Sequence, residues 1–204
     1  MKSMKSENYY NQNAKEFYAG TVNVDMNEAY KPFLDIVKPG GHILDAGCGS
    51  GRDSLYFIRN GYKVTAMDAS EAMVELASEL TGQKVLMLRF QDISFKDEFD
   101  GIWARASLLH VNRIEINDVL SKLSQALRKD GIICASFKYG DAEGERDGRY
   151  FNCYDEAALE LLLSRHTELE VVEIWKSQDA RPDKKNEYWA GFLARKISAG
   201  ADEG

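Results

Sequence analysis

The sequence predicts an α/β fold: a doubly wound, seven-stranded sheet, mostly parallel, with helices on both faces and an antiparallel last strand. Three observations carry this. Short apolar runs that suit strands alternate with helix-like stretches along most of the chain. The last two strand-like runs are joined only by a short polar connection, Gln178 to Glu187, so they pair as an antiparallel hairpin at one side of the sheet. A glycine-rich turn, His42 to Asp53 (H-I-L-D-A-G-C-G-S-G-R-D), directly follows the first apolar run, where a ligand-binding strand–turn–helix unit has it.

The elements follow in order. A tyrosine-rich segment, Asn8 to Thr21, precedes the first strand and is an added element. The strands are read as His42 to Asp45, Lys63 to Asp68, Val85 to Phe90, Gly101 to Ala104, Ile132 to Phe137, Leu169 to Ser177 and Tyr188 to Lys196. Helices fall near Met26 to Val37, Arg52 to Asn60, Glu71 to Leu80, Arg113 to Leu127 and Asp155 to Ser164. Gly61 stops the second of these, and Ser70 stands where it caps the third. The stretch from Lys138 to Tyr150 is read as a charged, glycine-containing loop, for which a solvated connection and a lid over the cofactor are both open. Residues 1–204 make one domain, of which 197–204 are a flexible tail.

Composition narrows the function. A formal charge of −7 argues against wrapping a nucleic-acid backbone, which needs clustered Lys and Arg. No apolar run is long enough to span a bilayer, and the lysine- and serine-rich start has no hydrophobic signal core, so a cytoplasmic protein is expected. Cys48, Cys134 and Cys153 are odd in number and widely spaced, which indicates neither a disulfide framework nor a metal site.

The glycine turn carries the chemistry. Gly47, Gly49 and Gly51 alternate, allowing a sharp turn and a close backbone approach to a ligand. A dinucleotide fingerprint, G-x-G-x-x-G, has a different spacing. Asp45 stands two residues before the first glycine, where its carboxylate can accept from a bound ammonium or from loop N–H groups. Asp68 ends the second strand about 20 residues beyond the loop, a position from which an acid accepts from ribose hydroxyls.

The pattern D-x-G-x-G-x-G resembles the first motif of the class I S-adenosylmethionine-dependent methyltransferases, and the expected hairpin is similar to the reversed last strand of their Rossmann-like sheet. The stretch G-R-D-S-L-Y-F-I-R-N-G-Y-K-V-T-A-M-D looks like the tellurite-resistance methyltransferase branch, and the final F-L-A-R-K is similar as well. The resemblance implies S-adenosylmethionine as cofactor, Asp92 on the adenine amino group with Ile93 offering backbone contact, and residues 1–38 as a helical cap over the cofactor pocket. Tyr18 is the expected contact of that cap with the sulfonium, which an aromatic face attracts. Arg52, Ala69, Met73, Ala104 and Arg105 complete the expected cofactor set.

The acceptor belongs outside the carboxyl ends of the strands, where the strand order reverses. Arg146 and Arg149 are the candidates for gripping an anionic or chalcogen-bearing small molecule such as tellurite. His110 is the candidate base in S-L-L-H-V. Three rivals remain: a nicotinamide oxidoreductase, disfavoured by the glycine spacing and Asp92; an RNA-modifying methyltransferase, disfavoured by A-R-A-S after the fourth strand and by acidic charge; and a non-catalytic cofactor sensor.

Overall fold

The computed structural model describes residues 3–181 and 184–197. Seven strands form one sheet in the order β3-β2-β1-β4-β5-β9-β8. Third in that order, β1 (His42–Ala46) is flanked in parallel register by β2 (Lys63–Asp68) and β4 (Phe99–Ala104). The next neighbour, β5 (Leu127–Lys138), is parallel to β4, and β9 (Tyr188–Lys196) runs antiparallel between β5 and β8 (Leu169–Gln178). The reversed last strand is therefore present, one place in from the edge. Strand order reverses between β1 and β4, and their carboxyl ends open one cleft.

Helices cover both faces. On one face α2 (Asn27–Leu34) and α3 (Arg52–Arg59) bury Tyr30, Phe33 and Phe57 against Trp103 of β4, Ile43 of β1 and Leu193 of β9. On the other, α5 (Ile116–Ala126) and α6 (Glu156–Leu163) bury Val119, Leu120, Leu123 and Leu159 against Ile102, Ile133 and Phe192. Residues alternate sides along each strand, so every central strand supplies both cores and reads as a continuous apolar run.

Local rules set the boundaries. Ser70 caps α4 (Glu71–Thr81) by accepting from the Met73 N–H at 3.3 Å, and Gly82 ends it in the left-handed region at φ 67°. Asp155 caps α6 by accepting from the Ala158 N–H at 2.8 Å. The helix expected from Arg113 begins at Ile116 instead. Asn112 folds back to accept from the N–H groups of Ile114 and Glu115 at 3.0 and 2.9 Å, delaying helix entry, and Arg113 is drawn to the Asn152 side chain at 2.9 Å.

Two further expectations need correction. The run Val85 to Phe90 gives only two strand residues, β3 (Leu86–Met87), because it lies at the sheet edge and Phe90–Asp92 coil into a short 3-10 helix. The stretch Lys138 to Tyr150 is not an open loop. It carries most of a two-stranded hairpin, β6 (Glu143–Arg146) with β7 (Arg149–Asn152), whose two-residue turn has Asp147 and Gly148 at φ 51° and 74°. The amino-terminal segment is one long element, α1 (Ser3–Thr21), kinked at Asn13. Of the expected tail, 198–204 lie outside the described residues, as do 182 and 183 in the connection before β9.

Candidate functional site

The cleft at the β1/β4 reversal holds two cavities with a shared wall. The smaller, about 100 Å³, is a slot between the glycine turn, the start of α4 and the segment after β3, lined by Asp68, Ala69, Met73, Leu88 and Phe90 among others. The larger, about 990 Å³, runs from the glycine turn across the ends of β5, β8 and β9. Tyr10, Phe17, Gly47, Gly49, Ala106 and His110 line both.

The glycines are required by geometry. Gly47 sits at φ 79°, and a Cβ there would lie 2.5 Å from the Ser107 Cβ. Gly51, at φ 78°, lets α4 approach so closely that a Cβ would meet the Ala77 Cβ at 2.9 Å. The turn is pinned to β2 because the N–H groups of Gly47 and Cys48 both donate to the Met67 carbonyl, at 2.8 and 2.9 Å. Asp68 fastens the other side, accepting from the N–H groups of Gly49 and Ser70, each at 2.9 Å. Burial raises its pKa, and those two N–H groups oppose the rise.

Asp45 lies deeper. It is 2% exposed, accepts from the Ser54 hydroxyl at 2.6 Å, and lines neither cavity; burial, then the neighbouring Asp53 charge, push its pKa up. Arg52 reaches the large cavity but is committed to Asp53, donating through Nε at 2.6 Å and Nη2 at 3.0 Å. Asp53 also accepts from the Tyr30 hydroxyl at 2.6 Å and Trp103 Nε1 at 2.9 Å. Burial pushes its carboxyl up, but the Arg52 guanidinium and these hydrogen bonds outweigh burial and hold it below the usual range. This buried network ties α2, α3 and β4 together at the floor of the cleft. The sequence reading missed it, although an acid next to Arg52 was its available signal.

Not every expected residue reaches a cavity. Asp92 is exposed at the end of the 3-10 helix, Ile93 is buried in the core, and Phe90 and Gln91 line the slot instead. Ala104 is fully buried beneath the cleft. Tyr18 lines neither cavity, whereas Tyr10 and Phe17 line both. Arg105, expected among the cofactor contacts, lines the large cavity and not the slot; Arg146 and Arg149 line the large cavity as well, and His110 lines both.

Helix α1 crosses the slot and is tied to four separate parts of the chain. Asn11 Oδ1 accepts from the Ser70 hydroxyl at 2.6 Å and the Ala72 N–H at 3.2 Å, at the start of α4. Glu7 pairs with Arg89 at 2.8 Å, Lys5 with Glu145 at 2.9 Å, and Ser6 accepts from the Tyr150 N–H at 3.0 Å. Tyr10 meets His110 Nε2 at 2.9 Å. His110 Nδ1 lies 2.6 Å from the Tyr150 carbonyl, which can only accept, so Nδ1 carries the proton and Nε2 accepts from Tyr10. Burial lowers the pKa of His110 to about 4, against the Tyr150 carbonyl and with help from Arg149.

The residues fit a nucleoside cofactor with an amino-acid tail. A Cβ-free turn, an acid at the end of β2 and an apolar wall of Met67, Met73 and Phe90 surround the slot, and the turn opens directly on the larger cavity. The slot as closed by α1 is smaller than the roughly 300–1,000 Å³ of ordinary ligand pockets.

The doubly wound sheet with a reversed strand one place from its edge is a fold that this chain shares with solved methyltransferase structures. Residues 44–135 match the family described as a methyltransferase domain. The chain is 32% identical over 122 residues to an uncharacterised methyltransferase of Staphylococcus carnosus, covering 56% of this chain and 59% of that one. It is 26% identical over 144 residues to a Haemophilus influenzae protein designated a probable S-adenosyl-L-methionine-dependent methyltransferase TehB, covering 67% and 48%. The chain thus spans about half the length of these curated relatives. Its fold matches the Burkholderia thailandensis 1,6-didemethyltoxoflavin-N1-methyltransferase with a TM-score of 0.75 at 22% identity, covering 96% of this chain and 88% of that one. That enzyme was crystallised with 1,6-didemethyltoxoflavin and S-adenosylhomocysteine bound.

Proposed function

We propose that the protein transfers a methyl group from S-adenosylmethionine to a small, anionic acceptor held in the large cavity. The observation that carries this is the pair of connected cavities, one with Asp68 at its ribose end and the other with arginines on its wall, meeting at Gly47 and Gly49. When bound, the cofactor supplies an electrophilic methyl on a sulfonium. The chain supplies the rest. Asp68 takes the ribose hydroxyls, Gly47 and Gly49 admit the tail, and Asp45 steadies the turn through Ser54. α1 and the β6–β7 hairpin exclude water and orient the acceptor in line with the bond being broken.

His110 fits this role as a positioning residue. Its Nε2 is occupied by Tyr10, and a pKa near 4 makes it a weak base, which favours an acceptor that arrives without a proton to lose. The cavity size favours an organic molecule; an oxyanion as small as tellurite would leave most of about 990 Å³ unfilled. Arg146 and Arg149 stack on Phe151, each 5.1 Å from the ring centroid, at the cavity rim, where they meet an incoming anion. Three free cysteines suit the reducing cytoplasm.

Calorimetry with S-adenosylhomocysteine and with NAD⁺ tests the cofactor assignment. We expect the first to bind and the second not; the reverse result ends the methyltransferase reading. For a turned-over anionic acceptor, Arg146→Ala and Arg149→Ala should raise the Michaelis constant while leaving cofactor affinity intact, and loss of cofactor affinity in Arg149→Ala would assign that residue to closure of α1.

A further inference from the structure

Seven basic side chains line the large cavity, and four of them are neutralised: Arg52 by Asp53, Arg181 by Asp179, and Lys138 and Lys184 by Glu187. Arg105 differs. It forms no hydrogen bond or ion pair with any described residue, yet it is only partly exposed. Its guanidinium carbon lies 5.5 Å from the ring centroid of Trp103 and 5.7 Å from that of Trp175, so two indoles hold it by their faces.

This seat is built into the sheet. Trp103 is fixed from below by its bond to Asp53. Trp175 faces Gly191 across the β8–β9 pair, and a Cβ on Gly191 would lie 2.5 Å from the Trp175 ring, so the indole lies on bare backbone. Arg105 thus spans from β4 towards β8 over the cavity floor. A guanidinium held by aromatic faces keeps its N–H groups in its own plane, directed sideways, where they match a planar oxyanion with two parallel hydrogen bonds.

We propose that Arg105 is the specificity determinant for the acceptor, selecting a planar organic acid whose carboxylate pairs with the guanidinium edge while its ring lies in the aromatic part of the cavity. The assignment rests on the large cavity being the acceptor site, but the site recognises the acid whether or not methyl transfer follows. Trp175 and Trp189 both line the large cavity, so an inorganic oxyanion would use the arginine and leave this aromatic wall unmatched, whereas a neutral ring would use the wall and leave the charge unanswered.

A matched pair of probes separates these cases: 2-naphthoate and its neutral amide, 2-naphthamide, titrated by quenching of tryptophan fluorescence. Wild type should bind the acid at least tenfold more tightly than the amide. Arg105→Met, which keeps a long side chain between the indoles, should abolish that preference, and S-adenosylhomocysteine affinity measured in parallel should stay within threefold of wild type. Arg105→Lys keeps the charge without the fork and should lose at least fivefold on the acid; it serves equally if the methionine variant does not fold. Equal affinities for acid and amide in wild type, a preference that survives in Arg105→Met, or unchanged acid affinity in Arg105→Lys each overturn the assignment. Failure of S-adenosylhomocysteine to bind wild type would overturn the methyltransferase reading while leaving the acid preference to be judged separately.

Discussion

The two sides of the cleft are held together in different ways. On the cofactor side the glycine turn and Asp68 sit within one strand–turn–helix–strand stretch, and their polar atoms are tied to neighbouring backbone: Asp68 to the N–H groups of Gly49 and Ser70, and the turn to Met67. On the acceptor side the groups come from α1, from β6–β7 and from the ends of β8 and β9. The ties there cross far longer stretches of chain, such as Lys5 to Glu145 and Tyr10 to His110. Local, backbone-anchored geometry leaves little room to vary. Side chains brought together at long range can be exchanged one at a time, so one cofactor site can serve many acceptors.

Four measurements break or sharpen this contrast. The largest effect is expected from Asp53→Ala, which leaves the Arg52 guanidinium buried without its carboxylate and strips the acceptor from Tyr30 and Trp103. It should cost about 3–5 kcal/mol in urea unfolding. A loss under 1 kcal/mol would mean the floor of the cleft is not rigidly anchored.

Next is Asp68→Ala. Removing two charge-assisted hydrogen bonds to a ribose should weaken S-adenosylhomocysteine binding by about 2–3 kcal/mol, or roughly 30- to 150-fold. Calorimetry reading less than threefold would take Asp68 off the ribose.

The third concerns pH. His110 has a folded pKa of about 4, below its ordinary value, so the unfolded chain binds a proton there first as pH falls. Its contribution to stability is complete above about pH 6.5 and is lost down to about pH 4, amounting to roughly 2 kcal/mol at pH 5. The raised pKa of Asp45 acts in the opposite sense, since its protonated form is the one the fold favours. The comparison must therefore be made with His110→Asn, which keeps an N–H donor for the Tyr150 carbonyl but does not titrate. Parallel stability curves for the two proteins between pH 7 and 5 would show that His110 is not held neutral.

The smallest effect is Tyr10→Phe. Losing its hydrogen bond to His110 should loosen α1 by about 1 kcal/mol and speed release of S-adenosylhomocysteine about fivefold in stopped flow. An unchanged release rate would separate α1 from cofactor closure.

What the sequence disclosed follows the same division. The hairpin of the last two strands, the glycine turn and the place of Asp68 at the end of β2 are legible because each depends on residues close along the chain. The family resemblance points to Asp92 for the adenine, but the third apolar run leaves the sheet after Met87, and the early 3-10 turn carries Asp92 outward and brings Phe90 and Gln91 to the slot. Tyr18 was preferred to Tyr10, and only the kink at Asn13 and the packing of α1 on the hairpin decide which tyrosine faces the cleft. The hairpin itself had a local signal, Asp147-Gly148 between two arginines, which the density of charge around it masked. The stacking of Arg105 on Trp175 had none, since the two residues meet across three intervening strand pairings.

One small chain of bonds reaches further than its size suggests. Ser70 gives its N–H to Asp68 and its hydroxyl to Asn11, so a single serine touches both the proposed ribose acid and the covering helix. Two equilibria that share a residue are thermodynamically linked, and the linkage is reciprocal. By whatever free energy an ordered α1 tightens nucleoside binding, bound nucleoside must disfavour the opened state of α1 by the same amount. Amide hydrogen exchange along residues 5–21 should therefore report occupancy of a site those residues do not form alone, with protection rising as nucleoside is added and the increment set by the coupling rather than by affinity.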